Sequence, residues 1–273
     1  MFLWFLLTSL MVSAVIFPLL LSLLSLSCLR ENYRGRKIPN CGGLLLIINF
    51  IAILGITSVL FPQELLFFER WLFPLTALVL GMGFLGILDD LFGTRAQGGF
   101  KGHFRELARG HLTTGALKAL GGGLLSLFVA SIFSENSFFL IVNAILLALC
   151  MNTFNLLDVR PGRAIKVFLI LSLAIFLFTL RSPIWKLGGI FVGPILILFR
   201  ADLIERCMLG DVGSNILGAL IGLSFIANFQ GFINLVILAM LITIQIYAER
   251  HSISAFILRV PALRRMDEWG RRK

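Results

Sequence analysis

The chain has 273 residues, of which 58% are hydrophobic and only 14% are charged. Its mean hydropathy of +0.97 is higher than a soluble domain of this length requires, and repeated apolar runs of about 20 residues are typical of helices that span a bilayer. The net charge of +10 is compatible with nucleic-acid binding, but the cations lie between the apolar runs, as they do in membrane proteins. Composition therefore excludes a soluble enzyme, and we expect no nucleic-acid partner.

The apolar segments predict an all-α, polytopic membrane protein with about nine, or at most ten, transmembrane helices. The first segment lacks a basic n-region and runs into Arg30 instead of a small-residue cleavage site. We therefore interpret it as a retained span and not as a signal peptide. The sixth and eighth segments are short enough to be tilted, broken or wrongly bounded. The predicted spans are Phe2–Cys28, Leu44–Leu60, Trp71–Leu88, Ala116–Phe133, Phe138–Phe154, Val167–Leu180, Ile184–Phe199, Ile216–Phe229 and Phe232–Tyr247.

The distribution of basic residues predicts the orientation of these spans. If the first span runs from outside to inside, most of the 24 lysines and arginines fall on one side of the membrane. The other side holds only Arg70, Arg181 and Lys186, with Lys118 just inside a helix. Because cytoplasmic loops carry the excess of Lys and Arg, we predict an N-terminus outside the membrane and a cytoplasmic C-terminus.

The predicted organisation is a multi-span membrane domain over residues 1–248 and a basic cytoplasmic tail over residues 249–273. The outer loops are very short, so we expect any chemistry at the cytoplasmic face, where the loops are long and polar. The four cysteines include no Cys-x-x-Cys pair and all fall at or near this reducing face. Disulfides are therefore not expected.

The third predicted span ends in two adjacent carboxylates, Asp89 and Asp90. This position is unfavourable for them, because a helix C-terminus carries a partial negative charge and neighbouring like charges repel. We therefore expect a cation to neutralise the pair, and Mg²⁺ that also carries substrate phosphate is the natural candidate. The alternative is a solvated Asp-Asp turn.

Three polar residues form a stripe at the cytoplasmic end of the fifth predicted span. Asn152, Asn155 and Asp158 are spaced by three residues, which places them on one face of a helix. Two amides and a carboxylate on such a stripe are costly in a membrane unless they have a function. Arg160 and Arg163 follow, and we predict that they bind an anionic donor. The alternative is a capped helix end whose cations contact anionic lipid.

The segment before the eighth predicted span places Asp211 at a helix N-terminus, between Gly210 and Gly213. The two glycines permit a close approach of backbone, and a helix N-terminus also favours bound phosphate. The alternative is that Asp211 is an ordinary N-cap, because aspartate is a preferred residue at that position.

Two further cytoplasmic loops carry candidate substrate contacts. Arg36 and Lys37 in the first loop fit a phosphate clamp or, alternatively, contacts to anionic lipid headgroups. The second loop contains Lys101, and its pattern predicts a short amphipathic helix on the membrane surface. His103 and His111 in that loop fit ordinary polar contacts better than metal ligation.

Four separated stretches thus lie in order on the predicted cytoplasmic side, and together they resemble one family. The set resembles the polyprenyl-phosphate N-acetylhexosamine-1-phosphate transferase superfamily. Its bacterial members include phospho-MurNAc-pentapeptide translocase and the undecaprenyl-phosphate GlcNAc-1-phosphate transferases. Each motif alone is weak, whereas the ordered set is specific and covers roughly residues 34–251. The stretches are Arg34–Pro39 with Gly42–Gly43, Asp89–Asp90, Asn152–Asp158 and Gly210–Ser214.

The resemblance implies a Mg²⁺-dependent reaction at the cytoplasmic face of the cell membrane. A polyprenyl phosphate attacks the β-phosphate of a UDP-sugar, which gives polyprenyl-diphospho-sugar and UMP for cell-wall or surface-glycan synthesis. Asp89, Asp90 and Asp211 would be the catalytic residues and metal ligands. A homodimer is a candidate assembly. The expected substrate contacts are Asn152, Asn155, Asp158, Arg160, Arg163, Arg36, Lys37, Lys101 and His251.

The chain also departs from the family pattern. Gly93 stands where the pentapeptide translocase has a lysine, and Pro161 replaces the second aspartate of its third motif. Both changes argue against the pentapeptide translocase itself. Two other classes stay open: a catalytically inactive relative that binds polyprenyl phosphate, and a lipid transporter or flippase. A transporter would place its polar residues near the bilayer midplane, whereas these carboxylates gather at one face.

Overall fold

The structure is a computed structural model that describes residues 1–93 and 113–271. These ranges contain twelve helices and one short β-hairpin. The helices are α1 (Phe2–Ser27), α2 (Leu44–Leu60), α3 (Pro62–Phe67), α4 (Glu69–Phe92), α5 (Thr114–Phe133), α6 (Ser137–Leu157), α7 (Arg163–Phe178), α8 (Ile184–Leu203), α9 (Gly210–Asn228), α10 (Phe232–Arg250), α11 (Ile253–Arg259) and α12 (Pro261–Glu268). The strands of the hairpin are β1 (Leu29–Glu31) and β2 (Lys37–Pro39).

Within the described ranges, seven helices are long and apolar enough to cross a membrane: α1, α4, α5, α6, α8, α9 and α10. This confirms the predicted class, an all-α protein with several membrane-spanning helices. Each of the nine predicted spans coincides with a helix, but α2 has 17 residues and α7 has 16. Nine spans, the orientation and the boundary at residue 248 remain predictions.

Helix α9 lies at the centre of the bundle, and small residues let its neighbours approach closely. A Cβ at Gly43 would lie 2.1 Å from the backbone nitrogen of Gly213, and a Cβ at Gly86 would lie 2.6 Å from Cα of Val212. Without a hydrophobic driving force between helices in lipid, such close backbone packing supplies much of the attraction. The ends of α2, α4 and α9 are thereby held together.

The hairpin β1–β2 was not predicted, because its sequence looks like an irregular basic loop. Its strands pair antiparallel, with Arg30 opposite Ile38. The turn is fixed by Asn32, whose side-chain oxygen accepts hydrogen bonds from the backbone N–H groups of Arg34 and Arg36 at 2.9 and 3.0 Å. The Met208 N–H donates to the carbonyl of Pro39 at 2.8 Å. The hairpin is thus attached to the segment that leads into α9.

Candidate functional site

A polar cavity of about 350 Å³ lies where the C-terminal ends of α4, α6 and α8 meet the N-terminal ends of α7 and α9. This volume is within the range of small-molecule sites in proteins. The cavity is lined by residues at the ends of α4, α6, α8 and α9, by the loop that leads into α7, and by the hairpin. Its polar lining residues are Arg30, Glu31, Asn32, Tyr33, Asn40, Asp90, Asn155, Asp158, Arg160, Asp202, Glu205 and Asp211.

Asp90 caps the N-terminus of α9. Its Oδ1 accepts hydrogen bonds from Nδ2 of Asn40 at 2.8 Å and from the Asp211 N–H at 3.0 Å, and its Oδ2 accepts from the Val212 N–H at 3.1 Å. The positive end of the α9 dipole therefore faces this buried carboxylate. Only a glycine fits at position 210, where φ is +75° and a Cβ would lie 2.6 Å from Asp90 Oδ2.

This arrangement changes two details of the sequence interpretation. Asp211 lies inside the first turn of α9 and is not its N-cap. The N–H groups of Asp211 and Val212 are also bonded to Asp90 instead of facing the cavity, and the Gly210 N–H is bonded to Asp158. The terminus is therefore used to hold α4 against α9, and a bound phosphate would need other donors.

The cation expected beside the Asp pair is supplied, within the protein, by Lys118 of α5. Its Nζ lies 2.5 Å from Oδ2 of Asp89 and 3.2 Å from Oδ1 of Asp211. Arg30 from the hairpin donates to the carbonyls of Asp89 and Gly93 at 3.1 and 2.9 Å, and so satisfies the C-terminal end of α4. This role of Lys118 was not predicted, because a lysine inside a predicted span carries no signal of its partner.

The Asn-Asn-Asp stripe is divided by the structure. Asn155 faces the cavity, and its Oδ1 accepts a hydrogen bond from Oγ of Ser214 at 3.2 Å. Asp158 also lines the cavity. Asn152 instead donates to Oε1 of Gln245 on α10 at 2.7 Å and is outside the cavity lining. Asp158 follows the last residue of α6, Leu157, and stays beside Asn155 at the cavity, whereas Asn152 lies nearly one turn further inside the helix, where Gln245 of α10 is its partner.

Asp158 lies in a strongly acidic environment. Burial raises the pKa of its carboxyl well above the usual value, and the negative charges of Asp202, Asp211 and Asp90 raise it further. Asp158 therefore shares the cavity lining with three other aspartates. Such an excess of negative charge favours a bound cation.

The two arginines predicted to bind donor have different surroundings. Arg160 lines the cavity, with its guanidinium carbon 4.5 Å from the ring centroid of Tyr33. Tyr33 in turn donates to Oε1 of Glu205 at 3.2 Å. Arg163 is buried and bonds to Asp267 in the C-terminal tail, outside the cavity lining. Only Arg160 is thus placed to contact a ligand in the cavity.

The other predicted contacts are not among the cavity-lining residues. Arg36 and Lys37 are exposed on the hairpin, and His251 is exposed beside the ring of Tyr247. Lys101 lies outside the described residues, as do His103, His111 and the predicted amphipathic helix around them.

Seven of the twelve polar lining residues were not among the predicted site residues: Arg30, Glu31, Asn32, Tyr33, Asn40, Asp202 and Glu205. A signal existed for Asp202, because it is a carboxylate at the end of a long apolar run, and ionisable residues in such runs are functional candidates. Asn40 and Tyr33 gave none, since their position depends on the unpredicted hairpin.

The donor chemistry of the cavity fits Mg²⁺. All of its candidate ligands are hard oxygen donors, and its lining holds six carboxyl side chains beside two arginines, Arg30 and Arg160. Among the described residues, no three carboxylate, His or Cys side chains converge as a complete ligand set. Mg²⁺ commonly binds through only one or two carboxylates together with water and substrate phosphates. Asp211 and Asp158 are the better candidates to hold it, because Asp211 has Lys118 as an ion-pair partner and Asp158 has the Gly210 N–H, whereas Asp90 accepts three hydrogen bonds over both of its oxygens.

The chain matches no known family model, and no curated protein matches it.

Proposed function

We propose that the protein transfers a sugar-1-phosphate from a UDP-(N-acetyl)hexosamine-type donor to a polyprenyl phosphate at the cytoplasmic face of the cell membrane. The observation that carries this proposal is the meeting of three separated motifs in one cavity: Asp90, Asn155 with Asp158, and Asp211. The cavity lies at the ends of apolar helices. A membrane-embedded lipid phosphate and a water-soluble nucleotide can meet at such a place.

The reaction depends on positioning of the reacting phosphates and neutralisation of their charge more than on covalent catalysis by the protein. An oxygen of the polyprenyl phosphate attacks the β-phosphorus of the UDP-sugar. The bond from that phosphorus to the bridging oxygen breaks, and UMP leaves with that oxygen. Bound Mg²⁺ would supply neutralisation of the diphosphate charge, held by Asp211 and Asp158.

The remaining residues position these groups. Asp90 fixes the start of α9 and hence the backbone that carries Asp211. Lys118 holds the carboxylates of Asp89 and Asp211 together. Arg160 provides a planar guanidinium for bidentate contact with phosphate. The product would enter cell-wall or surface-glycan synthesis.

Purified protein with undecaprenyl phosphate, Mg²⁺ and a panel of UDP-sugars tests the proposal. We expect release of UMP with at least one donor, and none when EDTA removes the metal. Asp211→Asn should reduce turnover by roughly a hundredfold or more, as expected for loss of a group that neutralises transition-state charge. Glu135→Gln, at an exposed turn away from the cavity, is the control and should leave turnover unchanged. Absence of UMP with every donor would refute the proposed reaction.

A second candidate function is binding of polyprenyl phosphate without turnover. It is favoured by Lys118, which already bridges Asp89 and Asp211, the carboxylates that the metal would need. Saturable binding of undecaprenyl phosphate to the wild-type protein, without UMP release from any donor, would support this candidate. A transporter is disfavoured because the carboxylates gather at one end of the bundle and not at its midplane.

A further inference from the structure

The C-terminal tail is joined to the core by a buried ion pair. Nε and Nη2 of Arg163 donate to the two carboxylate oxygens of Asp267 at 2.8 and 3.0 Å, and Nη1 donates to Oγ of Ser254 at 2.8 Å. Arg163 and Asp267 are 3% and 5% exposed. This bidentate geometry is among the stronger hydrogen-bond arrangements in proteins, so α12 has a defined place on the protein.

Two further cations complete the attachment. Nζ of Lys166 donates to the carbonyls of Met266, Asp267 and Trp269 at 3.1, 2.8 and 2.6 Å, and so satisfies the C-terminal end of α12. Arg271 contacts the carboxylate of Asp267 and donates through Nε to the carbonyl of Pro161 at 2.9 Å. The tail therefore reaches the loop between α6 and α7 directly.

That loop carries two polar cavity residues, Asp158 and Arg160. Its other side is held by Asp202, whose Oδ2 accepts a hydrogen bond from the Gly162 N–H at 2.7 Å. Gly162 has φ of +71°, a conformation that suits glycine. The loop is thus fixed between α8 on one side and the tail on the other.

We propose that Asp267 is a positioning residue, which acts through Arg163 and Arg271 to fix the loop over residues 158–163 and hence Asp158 and Arg160 in the cavity. The consequence for catalysis rests on the proposed transferase function, whereas the mechanical link from tail to loop does not. Burial keeps water from replacing these bonds. Removal of one partner from a buried pair leaves an uncompensated charge, so Arg163 could not keep its place without Asp267.

Amide hydrogen exchange in the full-length protein tests the link. In Asp267→Asn we expect exchange at Gly162 to be about tenfold faster or more, the factor expected for loss of a charge-assisted hydrogen bond. Asp267→Glu should restore part of the protection. Glu268→Gln is the matched control, because its neighbouring ion pair with Arg264 is exposed and contributes little to order. In the UMP assay, Asp267→Asn should raise the donor KM more than it lowers kcat.

A second variant covers the case in which Asp267→Asn does not fold. Arg271→Met leaves the bidentate Arg163–Asp267 pair in place and removes the bond to Pro161 together with Arg271's own contact to Asp267, and it should also speed exchange at Gly162. Unchanged exchange at Gly162 in every folded variant would overturn the proposal, whether or not the protein turns over. If the wild-type protein shows no turnover but the variants exchange faster at Gly162, the transferase function is refuted and the tail–loop link is supported.

Discussion

The surroundings of Asp158 oppose the negative charge of its carboxylate. Its pKa is raised by burial and by Asp202, Asp211 and Asp90, whereas an aspartate in an unfolded chain titrates near pH ~3.9. Between these two pKa values the native state binds a proton that the unfolded chain has lost. The free energy of unfolding therefore falls as the pH rises from the unfolded value toward the native one.

Asp158→Asn should remove this penalty. We expect a melting temperature higher by about 5 °C near pH ~8 and nearly unchanged near pH ~2.5, since the wild-type carboxyl is protonated in both states there. The same variant should lose turnover, a combination typical of residues kept for function at the expense of stability. Thermal unfolding across this pH range, with Glu135→Gln as control, measures the effect. Equal melting temperatures at high pH would contradict the acidic-cluster interpretation.

The ammonium group of Lys118 neutralises the carboxylates of Asp89 and Asp211, which would otherwise repel each other. Lys118→Met should destabilise the protein by about 3 kcal/mol, the scale on which breaking a largely buried pair costs stability. Because Asp89 and Asp211 would then lack a cation, added Mg²⁺ should recover part of the loss. Lys186→Met, at an exposed position at the other end of the bundle, should show neither effect. A loss that Mg²⁺ does not reduce would argue against metal binding by these carboxylates.

Arg160 and Arg163 should respond differently to the same substitution. Lysine lacks the planar fork of the guanidinium. Arg160→Lys should therefore raise the donor KM with little change in melting temperature, whereas Arg163→Lys should mainly lower the melting temperature through its bond to Asp267. Donor kinetics and thermal unfolding of both variants distinguish the two roles. An unchanged donor KM for Arg160→Lys would mean that Arg160 does not bind the donor and instead contacts anionic lipid or only the ring of Tyr33.

At the scale of elements, the packing of α2 against α9 depends on one glycine contact. Gly43→Ala would place a Cβ 2.1 Å from the backbone of Gly213, so the two helices must separate. Gly55→Ala, on the same helix α2, meets no atom within 4 Å and should be stabilising by up to about 1 kcal/mol through helix propensity. Thermal unfolding of the two variants should thus give shifts of opposite sign. A tolerated Gly43→Ala would mean that α2 and α9 adjust freely.

The helices were largely predictable from sequence, and the hairpin was not. Apolar runs of membrane length determine where helices form, because lipid leaves no other partners for the backbone. The strands β1 and β2 have only three residues each and contain no alternating pattern. Their pairing depends on distant contacts, such as the bond from Met208 to Pro39. The local sequence therefore does not predict the hairpin.

The same distinction applies to the site. Asp90, Asn155, Asp158, Arg160 and Asp211 were predicted because polar groups at the ends of apolar helices are conspicuous. Their partners were not predicted, because Lys118 and Asp202 come from other helices. Arg163 shows the limit most clearly, since the basic cluster it belongs to gave no indication that its partner lies 104 residues away in the tail.

At the scale of the whole molecule, the orientation in the membrane can be tested with single cysteines. Cysteines introduced at Asn136 and Met266 should react with a membrane-impermeant maleimide from opposite sides, because basic residues concentrate at the predicted cytoplasmic ends. The four native cysteines are buried and should give little background in the folded protein. Labelling of both positions from the same side would contradict the predicted topology.

The cap that Asp90 places on α9 also has a consequence for biosynthesis. Asp90 and the amide it binds at Asp211 are 121 residues apart in the chain, so α4 leaves the ribosome long before its partner exists. Until α9 follows, a carboxylate that is buried in the finished protein must remain hydrated at the membrane surface. The cavity therefore closes only late in synthesis, and a nascent chain that stalls before residue 210 has no site, however many of its helices are already inserted.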